Sequence, residues 1–365
     1  MSTPWVLAMI AGVVVSVGLL PVAYLVVVVM STDRRTRGLA YFGLPPAQRA
    51  SIRRRLALHA RILRPLLELL SRASPFSFER ERFTFAGISG PKGTCSAESF
   101  ERASRYAPAS IDVFVASQMR SGTTWTLNLV YQLLTRGRGD PGDSGRTLYS
   151  ISPWIEADIG VPITDAPRIG SERPSRIVKT HLPASLCPFS PDARYVYVVR
   201  HPVSCFASCV DFLAGSLGPF APDLLDIEEW FRSDELMWWG TWPTHVGGWW
   251  QRSAEAHNVM IVRYEDMLAD LRATADRIGS FIGLSPATED EWPSIAEACG
   301  FDHMRRHRDT FEMYPPHLLS VDRKLFVRGD RTRHLDVPAG VRQRIETWCS
   351  ERMASGPVPL STLYP

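Results

Sequence analysis

A lysine and a histidine two residues apart, Lys179 and His181 in the stretch Lys-Thr-His-Leu-Pro, are the residue pair of this chain best suited to handling a proton and a developing charge. If the stretch is extended, positions i and i+2 project to one face, so a cation and a titratable imidazole point at one spot. Histidine has the unperturbed pKa best placed to take a proton near neutrality. Lys179 is one of three lysines, with Lys92 and Lys324, against 38 arginines. That bias reflects coding composition and leaves most arginines without a functional message, which makes each lysine stand out. Taken alone, His181 also reads as a satisfied surface histidine.

A second group lies at Ser117-Gln118-Met119-Arg120-Ser121-Gly122-Thr123-Thr124-Trp125. It falls between a β-branched run and a helical pattern. Backbone N–H groups of such a turn, with the following helix N-terminus, cradle anions. Gly122 allows close backbone approach, and Ser121, Thr123 and Thr124 add hydroxyl donors. In Walker A register Ser117 replaces the first glycine and Thr123 the lysine, so nucleotide-triphosphate chemistry is disfavoured. The cation is upstream, at Arg120, which suits an anionic donor that is not a triphosphate. An ordinary Ser/Gly turn capping a helix would share this composition.

A third group is Arg200, ending the run Arg-Tyr-Val-Tyr-Val-Val, with Ser208 eight residues on. Ligands of open α/β sheets gather at strand ends. A guanidinium and a hydroxyl two helical turns apart form a second phosphate clamp; a strand-end salt bridge is the plainer use of Arg200.

These groups need strands to carry them. Runs at 111–116, 194–199 and 259–262 are apolar but for Asp112 and Arg194, rather than alternating, and a helical pattern covers 124–134. That predicts an α/β fold with a central parallel sheet covered by helices on both faces. Residues 135–147 read as an exposed Gly/Asp/Arg loop, and most tryptophans between 230 and 250 as core. Apolar residues are 45% and charged residues 22% of 365, the profile of a globular protein. A net charge of +3 is too mild to draw nucleic acid by bulk attraction, and six cysteines without a C-x-x-C pair suggest neither a disulfide scaffold nor zinc.

Residues 5–30 carry no charge. As a helix they would span roughly 39 Å, more than the ~30 Å hydrocarbon core, so an N-terminal transmembrane anchor is expected over residues 1–32. Arg34, Arg35 and Arg37 follow it, which predicts a single-pass membrane protein with its catalytic bulk in the cytoplasm. Residues 49–72 read as a basic amphipathic helix, lying on anionic lipid or packed on the domain. The expected organisation is anchor (1–32), basic helix and linker (33–109) and catalytic domain (110–365).

In this order and spacing the motifs resemble the PAPS-dependent sulfotransferase family, PAPS being 3′-phosphoadenosine 5′-phosphosulfate. Arg120 to Trp125 resembles its 5′-phosphosulfate loop, residues 179–183 match its Lys-Thr-His-Leu-Pro stretch, and Arg200 with Ser208 matches its 3′-phosphate clamp. His-Val-Gly-Gly-Trp-Trp at 245–250 and Tyr-Glu-Asp-Met at 264–267 also resemble the cytosolic branch. The resemblance covers roughly residues 110–350 and implies a P-loop-like three-layer fold. It implies direct in-line sulfonate transfer from PAPS, leaving PAP, to an acceptor hydroxyl, without a metal. His181 would be the general base, with Lys179 and Arg120 neutralising the leaving charge. Ser121, Gly122, Thr123 and Thr124 would hold the 5′ end, Arg200 and Ser208 the 3′-phosphate, Trp125 and Phe301 would flank the adenine, and Tyr264 would bond near it. Arg328 is the favoured C-terminal phosphate contact. The chain departs from the family pattern at Arg120, where the loop's usual residue is lysine. The acceptor is expected to be a small or lipid-like hydroxyl compound. A membrane-anchored, non-catalytic nucleotide-binding module is the alternative.

Overall fold

The computed structural model describes residues 19–30, 41, 44–142, 146–320 and 333–364. Helix α1 (Leu19–Met30) is apolar throughout, and helix α2 (Pro46–Ala73) matches the expected basic amphipathic segment. A hairpin follows, β1 (Arg82–Phe85) paired antiparallel with β2 (Ile88–Pro91). Its two-residue turn is Ala86-Gly87, with φ of 48° and 80°, the left-handed pair that matches strand twist in a tight hairpin.

The main sheet has four parallel strands: β3 (Asp112–Ser117), β4 (Arg176–Thr180), β5 (Arg194–Val199) and β6 (Val259–Arg263), in the order β4-β3-β5-β6. Every residue of β3, and every residue of β5 after Arg194, is buried, which is why these strands read as nearly unbroken apolar runs. Register places Val115 beside Lys179, Ser117 beside Val198 and Val199 beside Arg263. The C-terminal ends of all four strands therefore open onto one edge. At the opposite end Arg176 Nε donates to the wholly buried Asp112 carboxylate at 2.7 Å, and Tyr106 Oη donates to its second oxygen at 2.7 Å. A buried charge with both oxygens satisfied fixes how β3 and β4 align.

Helices flank the sheet. Those that matter for the site are α3 (Thr123–Thr135), α4 (Pro202–Leu217), α5 (Trp242–Glu255) and α6 (Tyr264–Ala269). Together with the 3-10 turn that follows it, α4 is apolar and long enough to cross a membrane, but its Cys205, Phe206, Cys209 and Leu213 lie in the main core. It is a core helix. The segment expected as linker differs from that expectation too. Phe78, Cys95, Phe100 and Ala103 belong to the main core, so the chain packs as one body from about residue 76. The early part of the expected anchor, before residue 19, lies outside the described residues.

Candidate donor and acceptor site

The strand-to-helix loop after β3 turns sharply. Arg120 has φ 66° and Gly122 φ 105°, both left-handed. A Cβ on Gly122 would sit 2.5 Å from Cδ2 of Tyr264, so only glycine fits between loop and ring. Gly122 is the N-cap of α3 and supplies no side-chain cap, which leaves the first N–H groups of a 13-residue helix without an internal partner. Those N–H groups and the helix dipole favour an anion here. The hydroxyls expected to join them are engaged within the protein. Thr123 Oγ1 is 2.6 Å from Ser117 Oγ, buried Ser121 faces Cys205 Sγ at 3.8 Å, and Thr124 Oγ1 is 2.6 Å from Tyr149 Oη. These contacts brace the loop.

The structure brings the third group to the same loop. Arg200 Nη1 donates to the Arg120 carbonyl at 3.3 Å, and Arg120 Nε donates to Ser208 Oγ at 3.1 Å. Ser208, expected to share a phosphate with Arg200, is reached by the Arg120 side chain. The Arg200 guanidinium lies 4.4 Å from the centroid of Tyr264, whose ring meets Trp125 edge-to-face at 5.4 Å. Trp125 Nε1 donates to the Cys299 carbonyl at 2.9 Å, which ties it to the turn two residues before Phe301. Arg200 Nε is buried without a hydrogen-bond partner. A buried orphan donor, a second guanidinium, uncapped helix N–H groups and a glycine-only gap fit a ligand with two anionic groups and a flat ring. Arg328 lies outside the described residues.

Lys179 and His181 leave β4 side by side with the loop. His181 Nδ1 is 2.8 Å from the Ser117 carbonyl. A carbonyl only accepts, so Nδ1 carries the proton and Nε2 holds the lone pair. Burial, with Lys179 nearby, pushes the imidazole pKa well below its usual value, so the ring is neutral at pH 7. The Lys179 ammonium is fully buried, 3.1 Å from the centroid of Trp154, and desolvation lowers its pKa to about 7. Attraction to Glu156 opposes that fall.

Glu156 escaped the sequence reading. It is fully buried, accepts from the His181 backbone N–H at 2.6 Å and from Trp154 Nε1 at 2.6 Å, and its other oxygen has no partner. One carboxylate oxygen therefore fixes both the histidine's backbone and the ring beneath the lysine. A lone glutamate in a loop gives no signal in a single sequence. The Trp-rich motif at 245–250, noticed but given no task, also gains one. His245 Nε2 donates to the His181 carbonyl at 2.9 Å while its Nδ1 accepts from Tyr197 Oη at 2.8 Å, and Trp249 Nε1 donates to the Leu182 carbonyl at 3.2 Å. Burial keeps His245 neutral, its pKa lowered to about 4, so its task is to hold the stretch that carries His181.

Beside this machinery lies a cavity of about 530 Å³. Met119 of the loop, Trp238, Trp239, Phe212 and Tyr314 line it, with Lys92 at its rim. Trp239 also packs against His181, ring centroids 5.1 Å apart, so the cavity adjoins the base. Its φ of 61° is unusual for a buried aromatic and is maintained by a ladder bond from its N–H to the Ser89 carbonyl of β2 at 2.8 Å. The hairpin thus builds a wall of the site.

A strand–loop–helix anion cradle at the edge of a parallel sheet, next to a neutral histidine, defines a group-transfer enzyme for an anionic nucleotide. Comparison with known proteins narrows the class. Residues 110–356 match the sulfotransferase domain model. Sulfotransferase 2B1 of Mus musculus is 29% identical over 276 residues, covering 72% of this chain and 78% of the relative. The 3-alpha-hydroxysteroid sulfotransferase of Cavia porcellus is 27% identical over 290 residues, covering 76% of this chain and 96% of the relative. In fold the chain is similar to retinol dehydratase in complex with retinol and PAP, with TM-score 0.59 at 18% identity over 79% of this chain and 95% of that one. It is also similar to the mouse sulfotransferase SULT7A1 complexed with PAP, with TM-score 0.56 at 20% identity over 74% and 95%. The chain belongs to the sulfotransferase family, and it is a PAPS-dependent sulfotransferase.

Proposed function

We propose that this enzyme transfers the sulfonate of PAPS to the hydroxyl of an amphiphilic acceptor seated in the 530 Å³ cavity. The carrying observation is the tautomer of His181: its Nδ1 proton is committed to Ser117, which leaves Nε2 as a lone-pair nitrogen next to the cavity wall. The acceptor oxygen forms its bond to sulfur as the bond from sulfur to the 5′-phosphate oxygen breaks. The hydroxyl proton passes to His181 Nε2. The charge that develops on the leaving oxygen is met by Lys179, Arg120 and the uncapped N–H groups of α3, fixed dipoles that need no reorganisation. Arg200, with Ser208 drawn in through Arg120, holds the 3′-phosphate; Trp125, Tyr264 and Phe301 take the adenine. Apolar and aromatic walls support an amphiphile, as do relatives named for a hydroxysteroid and solved with retinol.

The catalytic body is carried at a membrane by residues 5–30, with the domain on the cytoplasmic side. The uncharged run and the exposed faces of Leu19, Leu20, Val26 and Val27 in α1 support this. The family assignment leaves no place for the non-catalytic nucleotide-binding module. His181→Ala tests the role of the base. Turnover should fall by about 10²- to 10⁴-fold while PAP binding persists; unchanged turnover would remove His181 from the reaction. Mass spectrometry of products formed from isotope-labelled PAPS in a membrane extract identifies the acceptor.

A further inference from the structure

Helix α2 has two faces with different tasks. Its inner face, Ile52, Leu56, Leu63 and Leu67, is buried, and Arg53 pairs with Asp309 at 2.7 Å and Glu312 at 2.8 Å. Those contacts settle its packing against the domain. Its outer face should then be polar. Instead Leu58, Ile62 and Leu69 are 55%, 55% and 62% exposed. Their spacing of four and eleven residues sets them on one stripe of a 3.6-residue helix. Arg54 and Arg61 lie one turn from Leu58 and Arg72 one turn from Leu69, with Arg55 on the other flank. All four arginines are exposed, and none has an ion-pair partner among the described residues.

An apolar stripe flanked by guanidiniums on the outside of a packed helix is the pattern of a helix lying in a headgroup layer. Two further observations point to a bilayer as its cover. Apolar α1 docks on α2, with Val28 buried against Leu63, Leu67 and Leu318 and Tyr24 Oη 2.6 Å from His59 Nδ1, and it leaves Val22, Val26, Val27 and Val29 exposed. The segment holding Leu318 and Leu319 continues directly from Tyr314, Pro315, Pro316 and His317, which line the acceptor cavity.

We infer that the outer face of α2 is a docking surface for an anionic phospholipid bilayer, with Leu58, Ile62 and Leu69 in the acyl boundary and Arg54, Arg55, Arg61 and Arg72 on lipid phosphates. This seats α2 between the bilayer and the Leu318–Leu319 segment that continues from the Tyr314–His317 wall of the cavity. The inference deepens the anchor reading, and it stands or falls separately.

The test uses the full chain with phosphatidylcholine vesicles, with and without phosphatidylserine. All six cysteines are buried, so an Ile62→Cys variant takes a fluorescent label selectively, and Leu225→Cys, on another helix, is the reference. The expected result is quenching of the position-62 label by a lipid-borne quencher in phosphatidylserine vesicles, with the position-225 label unaffected. Arg54→Glu, Arg61→Glu and Arg72→Glu together should weaken that partitioning by at least about 100-fold, at about fivefold per basic residue, and leave turnover of a water-soluble acceptor unchanged. A chain that floats with vesicles of both compositions while position 62 answers only to an aqueous quencher overturns the docking face and leaves the anchor. Binding to phosphatidylserine vesicles that high salt strips away overturns the anchor and leaves the docking face. A label shielded from both quenchers shows that protein, not lipid, covers the stripe, and overturns the inference.

Discussion

The donor side and the acceptor side of this site are built from different materials. On the donor side, the groups nearest the reaction sit within a few residues of a sheet strand: Arg120 after β3, Lys179 and His181 at β4, Arg200 after β5, Tyr264 after β6. Parallel register brings these ends together, and buried hydrogen bonds leave little freedom. On the acceptor side, the wall comes from the β1–β2 hairpin, the turn holding Trp238 and Trp239, one face of α4 and the segment around Tyr314. None of these is the C-terminal end of a strand of the main sheet. A scaffold that holds chemistry rigidly while loops shape the pocket can change its acceptor without losing its donor.

The comparison breaks first at Gly122. Gly122→Ala forces a methyl into the Tyr264 ring at a left-handed φ. PAP affinity should fall by about 100-fold or more, with thermal stability lowered by about 1–3 kcal/mol; calorimetry with PAP measures both, and a well-bound ligand would show that the loop is not the cradle. Next is Arg200→Ala, which removes a charged donor from the donor side only. PAP should bind about 10- to 100-fold more weakly, from hydrogen bonds to charged groups worth about 1.5–3 kcal/mol, with the acceptor KM unmoved.

A smaller and more diagnostic effect is expected in the pH profile. Lys179 must be protonated to meet the leaving charge, and its pKa in the free enzyme is lowered to about 7. Since kcat/KM reports the free enzyme, it should decline as pH rises through that value. The acid limb should lie well below 6.5, because His181 is held neutral. Glu156→Gln keeps an acceptor for the His181 N–H but removes the negative charge that favours the ammonium, so the alkaline limb should move to lower pH. A limb that stays in place would show that Glu156 carries no charge when catalysis occurs.

The smallest donor-side effect is expected from the acceptor wall. Tyr314→Ala enlarges the cavity and should change the ratio of kcat/KM between a bulky and a slim acceptor by about tenfold. PAP affinity should hold constant; a parallel loss of PAP binding would mean that the two sides are not independent.

What was legible in the sequence follows this division. Strands β3 and β5 were readable because a strand buried on both faces is a nearly unbroken apolar run, and β6 because its half-buried Val-Met-Ile-Val is apolar as well. β4 was not read as a strand in its own right: Arg-Ile-Val-Lys-Thr breaks the run with the very lysine that does the chemistry. Ser208 was singled out by its spacing from Arg200, but that spacing did not show that Arg120 would reach its hydroxyl, since distance along a helix does not say which guanidinium lies nearest. Glu156 left no local pattern, because its importance comes from the backbone and indole groups that surround it.

By itself the amino-acid sequence determined the strand-forming runs, the glycine at the sharp turn, the Lys-Thr-His-Leu-Pro stretch and an uncharged N-terminal run, since each is a property of neighbouring residues. Only tertiary structure decided which nitrogen of His181 carries the proton, that Arg120 takes Ser208, and that residues 76–94, read as linker, pack against the acceptor cavity. Those outcomes depend on groups distant in the chain meeting in a water-poor interior, where one carbonyl or carboxylate within hydrogen-bond reach sets protonation and orientation.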